Sequence, residues 1–344
     1  MPRPVRVSII VPVCNNPGDL HDCLVALNAT TYPDFEIIVV DDASSTDETG
    51  VVADQLGAKV LRLERNAGPS SARNLGARNA TGEILFFVDA DVVVGPHAVS
   101  RVVETLGRHP EVAAVFGSYD DEPRAKGLVS QYRNLLHHYV HQHGNIDAST
   151  FWGACGAIRR SVFDAVGGFD VKRFPRCIED IELGYRLRRA GHRILLDKGL
   201  QGKHLKRWTL RSMVRTDVCC RAIPWSRLIF ETRSAPDDLN LRDGQRASVA
   251  AAGIAVIALM LTPWRLEAAL VSVAALVTVF ALNRPLYMFF LRHRGVHFAA
   301  AAFLLHVLYY LYGGLTYLYV WFDCRVLNGD RSLRLSQGIK RAAT

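Results

Sequence analysis

Cysteine is sparse and unpatterned: seven residues, an odd number, with no C-x-x-C spacing. That excludes a disulfide framework and a four-cysteine zinc site, and it fits a reducing, cytosolic setting for the soluble part. The adjacent Cys219 and Cys220 would pair only into a strained ring. Glycine (26) and proline (14) are too few for a collagen-like or low-complexity chain. No G-x-G-x-x-G follows the first apolar run, which leads instead into Pro12-Val-Cys-Asn-Asn-Pro-Gly18, so a nicotinamide dinucleotide site is disfavoured. A Walker phosphate loop is also missing. The run Val7–Val13 is broken by Pro12 and reads as a strand entering a loop, not as the core of a secretory signal. What the chain does have is apolar content: 49% of 344 residues, enough for two or three units with real cores and too much for disorder.

The formal charge of +8 is unevenly spread. Residues 1–199 carry 22 basic and 25 acidic side chains, whereas residues 200–235 carry 8 and 2, and residues 236–344 carry 11 and 6. A nucleic-acid binder places its basic stripe on the folded domain itself, so no nucleic-acid partner is expected. Here the positive charge begins where the chain turns hydrophobic, the pattern of a surface facing anionic lipid headgroups.

Three apolar segments follow, at 247–263, 266–283 and 298–322, with Trp264, Tyr309, Tyr310, Tyr312 and Trp321 at or near their ends. Successive apolar runs with such aromatic residues are expected to be membrane spans. Between the second and third, Arg284-Pro-Leu-Tyr-Met-Phe-Phe-Leu-Arg292 is too short to cross and reads as an interfacial helix or turn. With a cytosolic first half, three crossings put the 284–297 loop inside but the basic tail (Arg325, Arg331, Arg334, Lys340, Arg341) outside. A re-entrant third segment bent near Gly313-Gly314 would reconcile the two. The expected organisation is a catalytic domain over 1–205, basic amphipathic interfacial helices and linker over 206–246, a membrane region over 247–322 and a basic tail over 323–344.

The first half alternates strand and helix signals. Strands are expected at Val5–Val11, Phe35–Val40, Lys59–Leu63, Glu83–Val88 and Val112–Phe116, with helices at Gly18–Asn28, Thr46–Leu56, Ser70–Asn79 and His97–Leu106 between them. Ser45-Thr-Asp-Glu48 reads as a capping box. Continuous apolar runs such as Ile37-Ile-Val-Val40 indicate strands buried on both faces, hence a Rossmann-like, doubly wound, mostly parallel α/β sheet. In such folds ligands bind beyond the carboxyl ends of the strands.

Two strands there deliver paired carboxylates: Asp41-Asp42 after the second and Asp89-Ala-Asp91 after the fourth. An extended Asp-x-Asp would place both side chains on one side, a donor set suited to Mg²⁺ or Mn²⁺. Asp42 suits either a base N–H or a helix cap. Further on, Glu179-Asp180-Ile-Glu182 opens a helix in dipole-favourable fashion, with Glu182 and Arg186 paired four residues apart. By itself that is an ordinary solvated helix start. It follows Phe151-Trp152-Gly153 and Gly167-Gly168-Phe169-Asp170, turns that suit close approach by a ligand.

Together these residues resemble family 2 glycosyltransferases of the GT-A fold. The matching pieces are the opening Val7-Ser-Ile-Ile-Val-Pro-Val-Cys-Asn15, Val39-Val-Asp-Asp42, Asn66-Ala-Gly-Pro-Ser-Ser-Ala-Arg73, Asp89-Ala-Asp91, Gly167-Gly-Phe-Asp170 and Glu179-Asp-Ile-Glu182, in the family's order. The resemblance implies metal-dependent, inverting transfer of a sugar from a nucleotide-diphosphate donor. Asp42 would contact the base and Pro12 line its pocket. Arg73 would lie near the base or diphosphate, Asp89 near the ribose or sugar, Asp91 on the metal, and Asp180 would act as general base. Trp152, Gly153, Glu179, Arg207 and Trp208 would lie near the acceptor or diphosphate. Asp42, Asp89, Asp91 and Asp180 are thus expected to line one cleft.

Processive members carry Q-x-x-R-W before their membrane helices, whereas this chain has His204-Leu-Lys-Arg207-Trp208. That departure argues against polymerisation and makes His204 a candidate metal or diphosphate ligand. Trp208–Phe230, with Arg211, Arg215 and Arg221 among apolar residues, resembles interfacial helices through which a lipid-tailed acceptor would enter. The run His137-His-Tyr-Val-His141 reads as an acceptor-facing or interfacial helix rather than a metal site. The expected protein is an integral inner-membrane enzyme with a cytosolic catalytic domain. It would take a nucleotide sugar and a lipid or lipid-linked acceptor and use Mn²⁺ or Mg²⁺. A processive synthase and a non-catalytic scaffold are the alternatives. The Gly-rich N-terminal loop of sugar nucleotidyltransferases is not present.

Overall fold

The computed structural model describes residues 4–232 and 243–327. The chain divides into two compact units, one reaching Arg207 and the other starting at Trp208.

The first unit is a mixed α/β sandwich around one eight-stranded sheet. Its strands are β1 (Val7–Val13), β2 (Phe35–Asp41), β3 (Lys59–Arg62), β4 (Ile84–Val88), β5 (Val92–Val94), β6 (Val112–Tyr119), β7 (Cys155–Arg159) and β8 (Arg193–His204), ordered β3-β2-β1-β4-β7-β6-β8-β5. Alternate residues of β1 feed opposite faces: Val7, Ile9 and Val11 join the cluster with Leu20, Leu24, Val99 and Val102, while Ile10 joins that of Ala72, Phe87, Leu183 and Leu187. Both faces are therefore covered by helices, as the unbroken apolar runs require. The helices are α1 (Pro17–Asn28), α2 (Glu48–Gln55), α3 (Pro69–Arg78), α4 (Ala98–Arg108), α5 (Leu128–Gln142), α6 (Arg160–Ala165) and α7 (Glu179–Arg189).

The sheet is less parallel than the sequence implies. β1 to β4 run parallel to one another, as do β6 and β8, but β7 is antiparallel to both β4 and β6, and β5 is antiparallel to β8. β7 escapes sequence reading because Cys155-Gly-Ala-Ile-Arg159 lacks a β-branched run, and β8 because Lys198-Gly-Leu-Gln-Gly202 interrupts its apolar pattern. The Ser45 capping box does not form. α2 starts two residues later than expected, after Asp47, and Ser45 instead bonds the Asn15 side chain through its N–H at 2.7 Å and its hydroxyl at 2.9 Å.

Two registers position the site. β1 pairs with β2 as far as Val13↔Asp41 but with β4 only from Val7↔Ile84 to Ile10↔Phe87. The two central strands part beyond Ile10, at the point where strand order reverses, and Pro12, which has no N–H to give, sits there half-buried. On the other side, the antiparallel pair Val92↔His204 brings the end of β8 beside the residue that follows Asp91.

The second unit is helical: α8 (Leu210–Asp217), a π-helical turn (Val218–Ala222), α9 (Ile223–Thr232), α10 (Asp243–Leu261), α11 (Glu267–Leu282), α12 (Arg284–Arg294), α13 (Val296–Phe322) and a second π-helical turn (Asp323–Leu327). Two stretches, Gly244–Leu261 and Val296–Leu327, are long and apolar enough to cross a membrane. The expected middle span is different. α11 has 16 residues, about 24 Å at 1.5 Å per residue, and meets the long-enough criterion only together with α12, across a bend of 73°. The bend near Gly313-Gly314 that would have reconciled the topology does not occur: α13 is continuous there, and Gly314 faces Val249 of α10 closely enough that a Cβ would lie 2.6 Å from its methyl. Large apolar side chains point outward, Ile257 at 62%, Leu270 at 74% and Leu304 at 69% exposure, a surface suited to hydrocarbon. Inside, the Tyr310 hydroxyl lies 2.7 Å from Gln245 Oε1 and 2.8 Å from Asn283 Oδ1, its single hydrogen serving one of them at a time, and Asn283 donates to Ser248 (2.9 Å), so polar groups bind the helices together. The linker over 233–242 and the tail from 328, with Arg331, Arg334, Lys340 and Arg341, lie outside the described residues.

Candidate active site

Asp41 and Asp42 leave β2 with different duties. Asp41 is buried and accepts from the Ser44 N–H (2.9 Å) and hydroxyl (2.5 Å). Asp42, also buried, accepts from the N–H groups of Ala67 (2.6 Å) and Gly68 (2.8 Å) at the entrance to α3. It thus anchors the turn that leads into α3, the helix that carries Arg73. Gly68 has φ +91, a conformation glycine adopts without strain.

Asp89-Ala-Asp91 is a turn, closed by the Val92 N–H on the Asp89 carbonyl (2.9 Å), and not the extended pair expected. The turn sends its two carboxylates to different partners. Asp89 accepts from Arg73 Nη2 at 2.6 Å. Asp91 Oδ2 lies 3.5 Å from His204 Nε2, and its carbonyl accepts from the Leu205 N–H (2.8 Å). Burial pushes the Asp89 carboxyl up, against the opposing Arg73 charge. Burial acts likewise on Asp91, but the His204 ring and the Lys206 ammonium outweigh it and hold its carboxyl below the ordinary value.

Arg73 joins the two halves of the site. Its other arm donates to Glu179 Oε1 at 2.6 Å, so one buried guanidinium links the β4 exit to the first residue of α7. Glu179 is accordingly not the solvated helix start that its sequence implies, and neither is Glu182, which is buried against Arg186 at 2.8 Å. Burial pushes the Glu179 carboxyl up to about 7, with Asp180 adding to the effect and Arg73 opposing it. Asp180 follows, half-buried, with Oδ2 accepting from the Gly153 N–H (3.0 Å) and Oδ1 from the Ile181 N–H (2.8 Å). Gly153 is packed on Arg73: a Cβ there would sit 3.3 Å from the guanidinium carbon.

An aromatic wall borders the metal candidates. Tyr119 stacks flat on His204 (centroids 4.1 Å, 8°) and meets Trp152 edge-on at 4.8 Å. His137 lies 4.5 Å from Tyr119 and 4.9 Å from Trp152. α5 is therefore not an interfacial helix at this end: buried His141 bonds the Gly117 carbonyl (3.0 Å) and His138 that of Tyr119 (2.8 Å), tying it to β6. The Gly167-Gly168 turn is likewise structural, since the Asn74 amide clamps Phe169 by its N–H (3.0 Å) and carbonyl (2.8 Å). Arg207 is exposed at the end of the first unit, and Trp208 is buried at the start of the second. Sequence reading missed Asn134 and Tyr119, which lie in no motif and acquire meaning only through the β6–β8 pairing (Tyr119↔Gly202) and the packing of α5 on that side of the sheet.

Among the described residues, no three His, Cys, Asp or Glu side chains gather as an all-protein metal site would require. Asp91 and His204 form a two-donor set, which fits a cation that completes its shell with phosphate oxygens and water.

Residues 8–167 match the model of the family described as "Glycosyl transferase family 2". This stretch is a family 2 glycosyltransferase domain. The domain and its surroundings are similar to the O-antigen biosynthesis protein RfbC of Myxococcus xanthus (31% identity over 55% of this chain and 16% of that protein). They are also similar to the dolichol-phosphate mannosyltransferase of Pyrococcus furiosus (27% over 59% of this chain and 54% of that protein). The chain thus spans about half, or much less, of the length of these curated relatives. The glycosyltransferase domain shares its GT-A-type fold with the mannosyltransferase PcManGT of Pyrobaculum calidifontis, solved with GDP-Man and Mn²⁺ (TM-score 0.57, 19% identity, covering 92% of this chain and 88% of that one).

Proposed function

We propose that the chain is a metal-dependent, inverting glycosyltransferase that moves a sugar from a UDP- or GDP-linked donor to a membrane-associated acceptor such as polyprenyl phosphate, a lipid-linked glycan or a glycolipid. The observation that carries this reading is the linkage of Asp91–His204, Arg73 and Asp180 at one sheet rim, through Asp89, Glu179 and Gly153. Supporting it are the family 2 domain, the relative named a dolichol-phosphate mannosyltransferase, and the neighbour solved with GDP-Man and Mn²⁺.

The donor enters the gap where β1 and β4 part, its base near Pro12 and Asp42. Asp91 and His204 would hold Mn²⁺ or Mg²⁺, which when bound stabilises the leaving diphosphate. The acceptor oxygen attacks the anomeric carbon opposite the diphosphate, forming one C–O bond as the other breaks, hence inversion. Asp180, oriented by two N–H donors, receives the proton of a hydroxyl acceptor. Trp152, Gly153 and Glu179 border the acceptor side, and Arg207 closes the same unit. The basic segment over 200–235 and the two apolar stretches support a place in the inner membrane with the catalytic unit cytosolic.

The test offers the full-length protein labelled UDP- and GDP-sugars with Mn²⁺ or Mg²⁺ and a lipid extract. Label entering lipid as a single added sugar supports the reading. A ladder of sugars would show a processive synthase, and no transfer or donor hydrolysis with any sugar would show a scaffold.

A further inference from the structure

The aromatic wall contains one polar contact that does more than pack. Asn134, buried on α5, places its Oδ1 2.6 Å from His204 Nδ1. Its amide cannot turn over freely, because Nδ2 donates to the Ser130 carbonyl one helical turn back, at 2.9 Å. Flipping would set amide oxygen against carbonyl oxygen. The face offered to the imidazole is therefore an acceptor, and the ring nitrogen that meets it must carry the hydrogen. In a neutral ring the tautomer is then fixed: Nδ1 is protonated and Nε2 presents its lone pair. Nε2 is the atom 3.5 Å from Asp91 Oδ2. In that neutral form two acceptors face each other, an arrangement that a cation between them stabilises. Tyr119, stacked on the opposite side at 4.1 Å, keeps the ring from rotating out of this plane.

We infer that Asn134 is a positioning residue for the divalent cation: held by the Ser130 carbonyl, it fixes the tautomer and orientation of His204 so that Nε2 and Asp91 face one ion. This rests on the reading of Asp91 and His204 as metal ligands. A partner on the far nitrogen of a ligating histidine generally raises the ligand's basicity, and its loss weakens metal affinity by about 10–100-fold.

The experiment titrates Mn²⁺ into the full-length protein, alone and with UDP or GDP present, and reads free Mn²⁺ by electron paramagnetic resonance. Asn134→Leu, close in size and without an acceptor, is expected to weaken Mn²⁺ binding by about 10–100-fold, while Asn134→Asp, which keeps the acceptor, retains it. Asn134→Leu binding as tightly as the wild type would overturn the inference while leaving the metal reading intact. A wild-type protein that binds no Mn²⁺ under any of these conditions overturns both. A measurement on the wild type needs no variant to fold: with ¹⁵N-labelled histidine, the ring resonances that Mn²⁺ broadens first must show a protonated Nδ1. Protonation at Nε2 instead would overturn the inference.

Discussion

The Gly153 N–H donates to Asp180 Oδ2 at 3.0 Å, tying the loop before β7 to the first turn of α7 across 27 positions of sequence. The Ile181 N–H occupies the other carboxylate oxygen at 2.8 Å. A carboxylate that accepts two backbone hydrogen bonds is held in one rotamer, the fixed orientation a proton acceptor needs. Asp180→Asn keeps the shape and loses the base. With a hydroxyl acceptor, the expected outcome is transfer reduced by about 10²–10⁴-fold, with donor-nucleotide binding by calorimetry unchanged. Full turnover on a hydroxyl acceptor would remove Asp180 from that role.

Gly184 lies one helical turn after Asp180, where α7 presses on the backbone of Thr150 and Phe151. A Cβ would come within 2.6 Å of the Thr150 Cα, and backbone has little room to yield. Gly184→Ala should therefore push α7 away from the segment that carries Trp152 and Gly153. We expect a loss of about 1–3 kcal/mol in stability by denaturant titration, with a fall in activity larger than the unfolded fraction explains. Wild-type stability in this variant would mean that the helix and loop are not in register as described.

Much of this is legible in the sequence. Long β-branched runs ending in Asp pairs announce buried strands and a ligand rim, because strand burial and the switch-point rule both act through local sequence. The site's internal wiring was not legible. Whether Asp89 serves an ion or Arg73 depends on a turn at Ala90, and whether Glu179 is solvated depends on a guanidinium 106 residues earlier in the chain. His204 was found by comparison with a motif, yet what aims it, Asn134 and the Val92↔His204 register, follows from pairing between distant strands. The short span α11 reads as membrane by composition, and Pro285 announces its break, but the bonds by which Asn283 ties that break to Ser248 and Tyr310 join residues far apart in sequence.

Glu179 makes the stability of the fold depend on pH. Its carboxyl titrates near 4.5 when unperturbed and is pushed up to about 7 in the folded protein, burial being the main cause. Between those values the folded state holds a proton that the unfolded state has released. The stabilisation is thus complete below about pH 4.5 and is lost as pH rises through about 7. Glu179→Gln cannot titrate. Thermal unfolding from pH 5 to pH 8 should show the wild type losing ground to this variant as pH rises, and parallel curves would contradict the assignment.

The central claim is that the Asp91–His204 pair and the opening between β1 and β4 together make a metal-dependent nucleotide site. Calorimetric titration of UDP and of GDP into the full-length protein, with Mn²⁺, with Mg²⁺ and with chelator, tests it most directly. The account predicts that at least one nucleotide binds only with the cation present, and that this cation-dependent binding is lost or sharply weakened in Asp91→Asn. Binding of neither nucleotide under any condition, or binding that ignores both chelator and Asp91→Asn, would contradict it.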